Sequence, residues 1–345
     1  MIQKIKLTNF RNFGKKSLDF AQKITVIVGE NGTGKTNILE SLFLLSTGKS
    51  FKAKLESESI SYDETLTRVT GEVEENKLEV VLTKDVIGWP KKRLLVNGVP
   101  KRSIDFAGNF KTVLFGPWDM DLVTESPSIR RKFLDSVLSQ VDREYRRSIL
   151  SYEKGLRQRN KLLWSIRETG VSRSQLLFWN QLLIKNGDYI SSKREEFITF
   201  ANSTPSLNDQ KFEIEYDRSV ISEGRLEQYK NEEVASATTL VGPHRDDFIF
   251  KVALDKEKMR ELAAYGSRGQ QRMGVLWLKL AELAFVELQS GEKPTLLLDD
   301  IFSELYHEHR DLVMKVANSQ QTIITTADEH FIEDFKGSEI VKLKQ

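Results

Sequence analysis

The chain has 345 residues, a hydrophobic content of 39%, a charged content of 30% and a formal net charge of +2. This composition fits a globular protein large enough for two domains, and the small net charge gives no sign of a nucleic-acid partner. With no cysteine, disulfides and thiolate metal sites are excluded, which suits the reducing cytoplasm where we expect the protein. An apolar signal-peptide core and apolar runs of about 18 residues are both absent, so we expect no export and no membrane span.

The N-terminal third is predicted to form strands around one helix. Alternating residues predict a strand at Ile2–Phe10, and a β-branched run predicts a buried strand at Ile24–Val28. Residues 36–46 have helical spacing. Short strands are expected from Leu66 to Val99, where Asn97-Gly98 is typical of a hairpin turn.

The middle of the chain is predicted to be mainly helical. No proline occurs from Ser128 to Phe200, and one apolar face recurs in steps of mostly three or four. The residues on this face are Leu134, Leu138, Val141, Tyr145, Ile149, Tyr152, Leu156 and Leu163. They predict either one long amphipathic helix or a helical hairpin. A further helix at Leu176–Phe200, a loop at residues 204–209 and a strand at Phe212–Tyr216 follow.

The C-terminal third returns to an α/β pattern, with a helix over residues 270–288 and buried strands at Thr295–Leu298 and Thr322–Thr326. We therefore predict an α/β nucleotide-binding core built from both chain ends, with a mainly helical domain inserted between them. The expected core comprises residues 1–118 and 270–345, and the expected second lobe comprises residues 119–269.

A phosphate-binding loop is predicted after the second strand. The segment fits the G-x-x-x-x-G-K-[ST] pattern and lies between a strand and a helix, and it consists of Gly29, Glu30, Asn31, Gly32, Thr33, Gly34, Lys35 and Thr36. Its backbone N–H groups and the following Asn37 would surround the phosphates of ATP, with Lys35 as a catalytic charge on the β- and γ-phosphates and Thr36 as a ligand of Mg²⁺. The alternative is a glycine-rich turn that caps a helix.

Two carboxylates follow the predicted strand at 295–298. The carboxyl end of such a strand faces the ligand crevice of a doubly wound sheet. Asp299 is therefore expected to hold Mg²⁺, and Asp300 to accept a proton from the attacking water. The alternative is a pair of solvated acids at a turn.

The segment Tyr265–Arg272 precedes the long C-terminal helix. Ser267 is suited to the helix N-cap, and Gly269 exposes the backbone, so this helix start could bind an anion. The alternative is an ordinary helix start.

The order of these three motifs resembles that of the ABC-type ATPases. Five segments narrow the resemblance, over essentially the whole chain, to the bacterial RecF DNA-repair proteins: Asn9–Phe13, Gly34–Glu40, Pro127–Asp135, Gly242–Asp247 and Ser267–Gln271. The resemblance implies an ABC-type ATPase head without the long coiled coil of the chromosome-structure relatives. In this class Ser267, Gly269 and Gln270 of one subunit would act in trans on the ATP bound by another.

The resemblance also implies a function in recombinational repair. The expected protein is an ATP-driven homodimer with slow, DNA-stimulated hydrolysis. It would bind double-stranded DNA near gaps and single-strand/double-strand junctions, and act with RecO and RecR to help load RecA. Two positions depart from the family pattern, since Tyr306 and Trp118 stand where acidic residues are expected. The tyrosine puts communication between two ATP sites in doubt.

Basic residues are concentrated in the helical middle. From Ser128 to Arg173 there are 12 Lys or Arg against 5 Asp or Glu. Arg143, Arg146 and Arg147 are candidate contacts for a DNA backbone, and no base-reading motif accompanies them. The alternative is a solvated helix face.

Two other functional classes remain open from the residues alone. In transporter ATPase subunits the serine segment follows the phosphate loop by roughly a hundred residues, whereas Lys35 and Ser267 are 232 positions apart here. A small-molecule kinase would not need the Ser267 segment.

Overall fold

A computed structural model describes residues 1–84, 90–255, 258–304, 307–328, 335 and 337–344. The chain divides into two compact units, one comprising Met1–Asp119 with Val286–Gln345 and the other Met120–Phe285. The division expected from the sequence assigned residues 270–285 to the first unit, whereas here they lie in the second. As functional domain limits, the expected boundaries stay a prediction.

The described residues form fourteen strands and twelve α-helices. The strands are β1 (Ile2–Phe10), β2 (Phe13–Asp19), β3 (Ile24–Val28), β4 (Leu66–Val73), β5 (Asn76–Lys84), β6 (Pro90–Val96), β7 (Val99–Lys101), β8 (Thr112–Phe115), β9 (Phe212–Asp217), β10 (Asp247–Asp255), β11 (Lys258–Glu261), β12 (Thr295–Asp299), β13 (Thr322–Thr326) and β14 (Glu339–Lys342). The helices are α1 (Lys35–Thr47), α2 (Ser103–Phe106), α3 (Asp121–Thr124), α4 (Pro127–Val141), α5 (Arg143–Thr169), α6 (Leu176–Asn202), α7 (Glu223–Gln228), α8 (Lys230–Ser236), α9 (Leu262–Tyr265), α10 (Arg268–Ser290), α11 (Ile301–Glu304) and α12 (His307–Ser319).

A parallel sheet of order β14-β3-β13-β12-β8 forms the centre of the first unit. Every residue of β3, β12 and β13 is buried, as expected for parallel strands covered on both faces. The strands come from both ends of the chain, so the predicted α/β core is confirmed. Because the strands are parallel, the carboxyl ends of β3, β12 and β13 share one edge of the sheet.

An antiparallel sheet of order β2-β1-β4-β5-β6-β7 also belongs to the first unit. Its last two strands are joined by the predicted hairpin turn, in which Val96 pairs with Val99. The two turn residues, Asn97 and Gly98, have φ values of 54° and 78°. Asparagine and glycine tolerate this left-handed backbone better than other residues, which explains why the dipeptide marks the turn.

The helical middle forms a hairpin in the second unit. The predicted apolar face from Leu134 to Leu163 is divided between α4 and α5, because Asp142 ends the first helix and caps the second through a 3.0 Å bond from the Tyr145 N–H. The helices α5 and α6 each have 27 residues and run antiparallel, with Arg159 bonded to Asn180 at 2.8 Å. Residues 134–163 therefore belong to two consecutive helices rather than to one long helix, and the hairpin is formed by α5 with the separately predicted helix α6.

The sheet β11-β10-β9 completes the second unit and explains the position of residues 270–285. Trp277 of α10 packs beside Phe212 of β9, with ring centroids 6.1 Å apart. Further along the same helix, Phe285 meets the edge of Phe197 at 5.1 Å. These aromatic contacts fix most of α10 within the second unit. None of the described helices has the length and apolar character required to cross a membrane.

Candidate ATP-binding site

The predicted phosphate loop connects β3 to α1 as expected. Gly32 and Gly34 have φ values of 87° and 99°, in the left-handed region that side chains rarely adopt. A Cβ atom at Gly34 would also lie 2.5 Å from the Phe13 ring and 2.7 Å from the Asn12 amide. Glycine at position 34 is therefore favoured by the backbone conformation, and any side chain there would also displace those of Phe13 and Asn12.

Lys35 lies at the start of α1 with its ammonium group folded back over the loop. Its Nζ donates to the carbonyl oxygens of Gly29 at 2.6 Å and Glu30 at 3.0 Å, and the residue is only 8% exposed. Burial lowers the pKa of Lys35, while the nearby carboxylates of Asp300 and Asp299 oppose this effect. The ammonium thus lies at the loop and is held there by two neutral carbonyl acceptors that phosphate oxygens could replace.

Thr36 and Asp299 are brought into contact although 263 positions separate them. The Thr36 hydroxyl donates to Oδ2 of Asp299 at 2.7 Å. The other carboxylate oxygen, Oδ1, accepts a bond from the buried Thr325 hydroxyl of β13. A hydroxyl and a carboxylate are hard oxygen ligands of the kind that Mg²⁺ prefers, so the donor set fits this ion. Thr325 orients Asp299, a role that the sequence did not reveal.

Asp300 follows β12 in an unusual backbone conformation. Its φ is 50°, in the left-handed region, and its N–H donates to the carbonyl oxygen of Thr325 at 3.1 Å. Such strain in a non-glycine residue is concentrated at functional sites. Its charge lies close enough to Lys35 to act on the pKa of that ammonium. The predicted role of Asp300 as the base stays a prediction.

The segment before the loop supports α1 from the side. Arg11 forms a bidentate ion pair with Glu40, with bonds of 2.9 Å and 2.6 Å, and the Glu40 side chain is completely buried. Asn12 donates to the Thr33 carbonyl at 3.2 Å and accepts from the Asn37 amide at 2.9 Å. Asn37, predicted as an ATP contact, is thus tied to the loop. In the sequence, Glu40 is the one carboxylate on the otherwise apolar face of α1, and this position could have indicated a buried ion pair.

Trp118 has a structural explanation. Its ring stacks on Phe51 with centroids 4.8 Å apart and an interplanar angle of 29°. A Cβ atom at Gly116 would come within 2.5 Å of the same indole. The tryptophan therefore fixes the segment after β8 to the segment that follows α1. Tyr306, the other departure from the expected pattern, lies outside the described residues.

Ser267 caps α10 in the second unit. Its hydroxyl accepts a bond from the Gln270 N–H at 3.3 Å, and the Gln270 side chain accepts one from the Ser267 N–H at 2.9 Å. This reciprocal arrangement is a capping box, which stabilises a helix start. Ser267 is exposed and Gly269 lies in the first turn of α10. The helix start is accessible to an anion, and the predicted action of Ser267, Gly269 and Gln270 in trans stays a prediction.

The segment Gly242–Asp247 forms a buried polar network in the second unit. Asp246 has no exposed surface and accepts bonds from Ser191 at 3.0 Å and Arg194 at 3.1 Å. His244 bonds to the Tyr152 hydroxyl at 2.8 Å, and burial lowers the pKa of His244 to about 4. These residues therefore hold the helical hairpin to β10, a role that the sequence did not reveal.

The three candidate DNA contacts differ in their surroundings. Arg143 and Arg147 are exposed, and Arg147 pairs with Glu144 at 2.8 Å. Arg146 is half-buried and donates to the Ser139 carbonyl oxygen at 2.6 Å. Arg143 and Arg147 are thus better placed than Arg146 to reach a ligand in solution.

Comparisons with known proteins identify the family. A family model described as the RecF/RecN/SMC N-terminal domain matches residues 1–345. A DNA replication and repair protein RecF from Caldanaerobacter subterraneus subsp. tengcongensis is 35% identical, covering 96% of this chain and 95% of the relative. The chain belongs to the RecF family. A second RecF protein, from Herpetosiphon aurantiacus, is 33% identical over 97% of this chain and 94% of its own length.

Solved structures agree with this assignment. The recombination mediator protein RecF-ATP of the RecFOR pathway is similar with a TM-score of 0.86 and 33% identity, over 95% of this chain and 92% of that one. An Smc head domain from Pyrococcus furiosus has a TM-score of 0.52 at 16% identity, covering 99% and 94% of the two chains, and shows likeness of fold alone. The ABC-type ATPase head predicted from the sequence is thereby confirmed.

Proposed function

We propose that the protein is an ATP-dependent DNA-binding switch of recombinational repair. It binds ATP with Mg²⁺, dimerises in that state on double-stranded DNA near gaps and single-strand/double-strand junctions, and resets by slow, DNA-stimulated hydrolysis. Its partners are RecO and RecR, with which it helps load RecA in the cytoplasm. A similar solved structure is described as RecF-ATP in the RecFOR pathway, and this description supports RecO and RecR as partners.

One observation carries the proposal. The 2.7 Å bond between Thr36 and Asp299 places the start of the phosphate-loop helix against the acidic end of β12. A loop of N–H donors, a lysine and an oxygen pair for a cation then meet at one edge of the parallel sheet. This is the arrangement that binds a magnesium nucleotide in phosphate-loop ATPases.

The residues of the site divide the work between binding and hydrolysis. Backbone N–H groups of residues 29–34 and the N-terminus of α1 bind phosphate oxygens. Lys35 exchanges its bonds to the Gly29 and Glu30 carbonyls for bonds to the phosphates. Thr36 and Asp299 hold Mg²⁺, which when bound neutralises charge on the phosphates. Asp300, which follows β12 in a left-handed backbone conformation, accepts the proton of the attacking water.

Dimerisation follows from the Ser267 segment. Ser267, Gly269 and Gln270 lie at the accessible N-terminus of a 23-residue helix, where the helix dipole favours an anion. Two copies related by a two-fold axis would place this segment of each on the ATP held by the other. ATP then favours the dimer over ADP, because only ATP carries the γ-phosphate that both copies contact.

Replacing Lys35 tests the site. Lys35→Met removes the ammonium, and losing such a charge-assisted contact costs about 2–3 kcal/mol, so ATP affinity should fall by roughly 30- to 150-fold. Lys23→Met, an exposed lysine of the same unit, serves as the matched control. Equilibrium binding of a fluorescent ATP analogue measures both. An unchanged ATP affinity in Lys35→Met would contradict the assignment of residues 29–36 as the ATP-binding loop.

A rate measurement separates the switch from a small-molecule kinase. The switch hydrolyses ATP slowly by itself and faster with duplex DNA, whereas a kinase turns over without DNA when its acceptor is present. Steady-state ATPase activity with and without a blunt duplex distinguishes the two. A fast basal rate that DNA leaves unchanged would contradict the proposed function.

A further inference from the structure

The exposed face of α5 carries a continuous line of residues, which we call the outer stripe. The buried face of this helix consists of Tyr145, Ser148, Tyr152, Gly155, Arg159, Leu163 and Ile166. Opposite to it, at steps of three or four, lie the exposed residues Arg143, Arg147, Leu150, Lys154, Arg157, Lys161 and Trp164. A helix has about 3.6 residues per turn, so these seven positions share one face and extend over about 30 Å.

The outer stripe is positively charged along most of its length. Five of its seven residues are Arg or Lys, and none is acidic. Within the described part of the chain, Lys154, Arg157 and Lys161 have no carboxylate within ion-pair distance, whereas Arg147 has Glu144. Neighbouring cations lie about 5 Å apart along the helix, with one gap of about 10 Å at Leu150, and such a row of cations complements a nucleic-acid backbone, whose charges also repeat along a line.

Trp164 ends the outer stripe near the turn of the helical hairpin. The residue is 51% exposed and lies one turn beyond Lys161, although a tryptophan on an amphipathic helix is expected on the buried face. An exposed indole beside cations can stack on a nucleic-acid base, and every base offers a face for stacking. Leu150, the other apolar residue of the stripe, has no aromatic ring and cannot act in this way.

We propose that the outer stripe binds a single-strand/double-strand junction, with phosphates along Arg143 to Lys161 and an unpaired base stacked on Trp164. The inference rests on the proposed DNA-binding function and adds the orientation of the DNA along α5. Bases within a duplex are already stacked on their neighbours, so the paired part lies toward Arg143 and the single strand lies toward Trp164. Trp164 is then the residue that determines specificity for unpaired bases.

The test compares two DNA probes with the full chain and ATP. One probe is a blunt duplex of about 30 base pairs, and the other is the same duplex with a single-stranded tail of about ten nucleotides. Trp164→Ala should weaken binding to the tailed probe by about 5- to 150-fold, the range for one stacked base, and leave the blunt probe unchanged. Trp164→Phe should retain most of the preference, because phenylalanine can still stack.

Phe178→Ala is the matched control, since Phe178 is 63% exposed on the same hairpin but lies on α6, outside the stripe. It should bind both probes like the wild-type chain. The inference is overturned if Trp164→Ala keeps the preference for the tailed probe or weakens both probes equally. It is also overturned if that variant keeps both DNA affinities but no longer binds an acidic protein partner.

Failure of the broader proposal would look different. A wild-type chain that binds neither probe in the presence of ATP would contradict the DNA-binding function itself. A wild-type chain that binds both probes, with Arg157→Ala and Lys161→Ala variants that bind them equally well, would contradict only the placement of DNA on the outer stripe.

Discussion

The ion pair between Arg11 and Glu40 should contribute strongly to the stability of the first unit. The Glu40 carboxylate is completely buried and depends on Arg11 for two bonds, of 2.9 Å and 2.6 Å, and on Ser50 for a third. Arg11→Met leaves this carboxylate without its cation in a site that water does not reach. Removing one partner of a buried pair costs about 3–5 kcal/mol, a large fraction of the stability of most domains.

A double variant separates the pair from the packing around it. In Arg11→Met/Glu40→Met the buried charge is absent, so the double variant should be more stable than Arg11→Met alone. Arg11→Lys retains the charge but cannot form the two parallel bonds, so its loss should lie between those of the wild type and Arg11→Met. The exposed pair of Lys4 and Asp19, joined at 2.9 Å, provides a control, and Lys4→Met should unfold like the wild type.

Urea unfolding followed by circular dichroism measures these differences as shifts in the midpoint at constant slope. The reasoning is refuted if Arg11→Met loses less than about 1 kcal/mol, because the buried carboxylate would then have found another partner or become solvated. It is refuted equally if the double variant is less stable than Arg11→Met, because packing rather than charge would then dominate.

Three further outcomes are expected. Asp300→Asn should still bind ATP but hydrolyse it about 10²- to 10⁴-fold more slowly, so its dimer should last longer. Single-turnover ATPase assays measure the rate and sedimentation measures the dimer. Full ATPase activity in this variant would show that Asp300 is not the catalytic base. His244 has its pKa lowered from 6.5 to about 4, so its contribution to stability is complete above pH 6.5 and falls by about 3 kcal/mol as the pH drops to 4. His244→Gln should flatten the stability–pH curve between pH 6.5 and 4. An unchanged curve would show that a group other than His244 takes up the proton. The double variant Arg143→Ala/Arg147→Ala should reduce the slope of log DNA affinity against log salt concentration by up to about 1.8, whereas the control Lys211→Ala should leave it unchanged. An unchanged slope in the double variant would show that neither arginine contacts DNA phosphates.

The site was predictable from the sequence where local pattern determines local structure. The phosphate loop requires glycine at particular backbone positions, and Gly32 and Gly34 do adopt left-handed conformations. The apolar run before Asp299 predicted a buried strand, and parallel pairing then brought its end beside α1. The hairpin turn at Asn97-Gly98 follows from the same local logic.

Contacts between distant residues were not predictable in the same way. Thr325 orients Asp299 because β13 lies beside β12, and no local pattern records which strands are neighbours. The break between α4 and α5 at Asp142 was not predicted, because apolar residues continue at helical spacing on both sides of it. Ser267 and Gln270 are a partial exception, since serine followed three positions later by glutamine is a capping-box pattern that can be recognised in the sequence.

The most direct test of the central claim is the ATPase activity of a mixture of two inactive variants. Lys35→Met damages the phosphate loop, and Ser267→Arg places a bulky side chain at the start of α10. A mixed dimer combines both defects at one site and leaves the other site intact, so an equimolar mixture should recover up to about a quarter of the wild-type activity. A mixture that stays inactive while both variants remain folded, or a Ser267→Arg protein that hydrolyses ATP normally by itself, would contradict an ATP site shared between two copies of the chain.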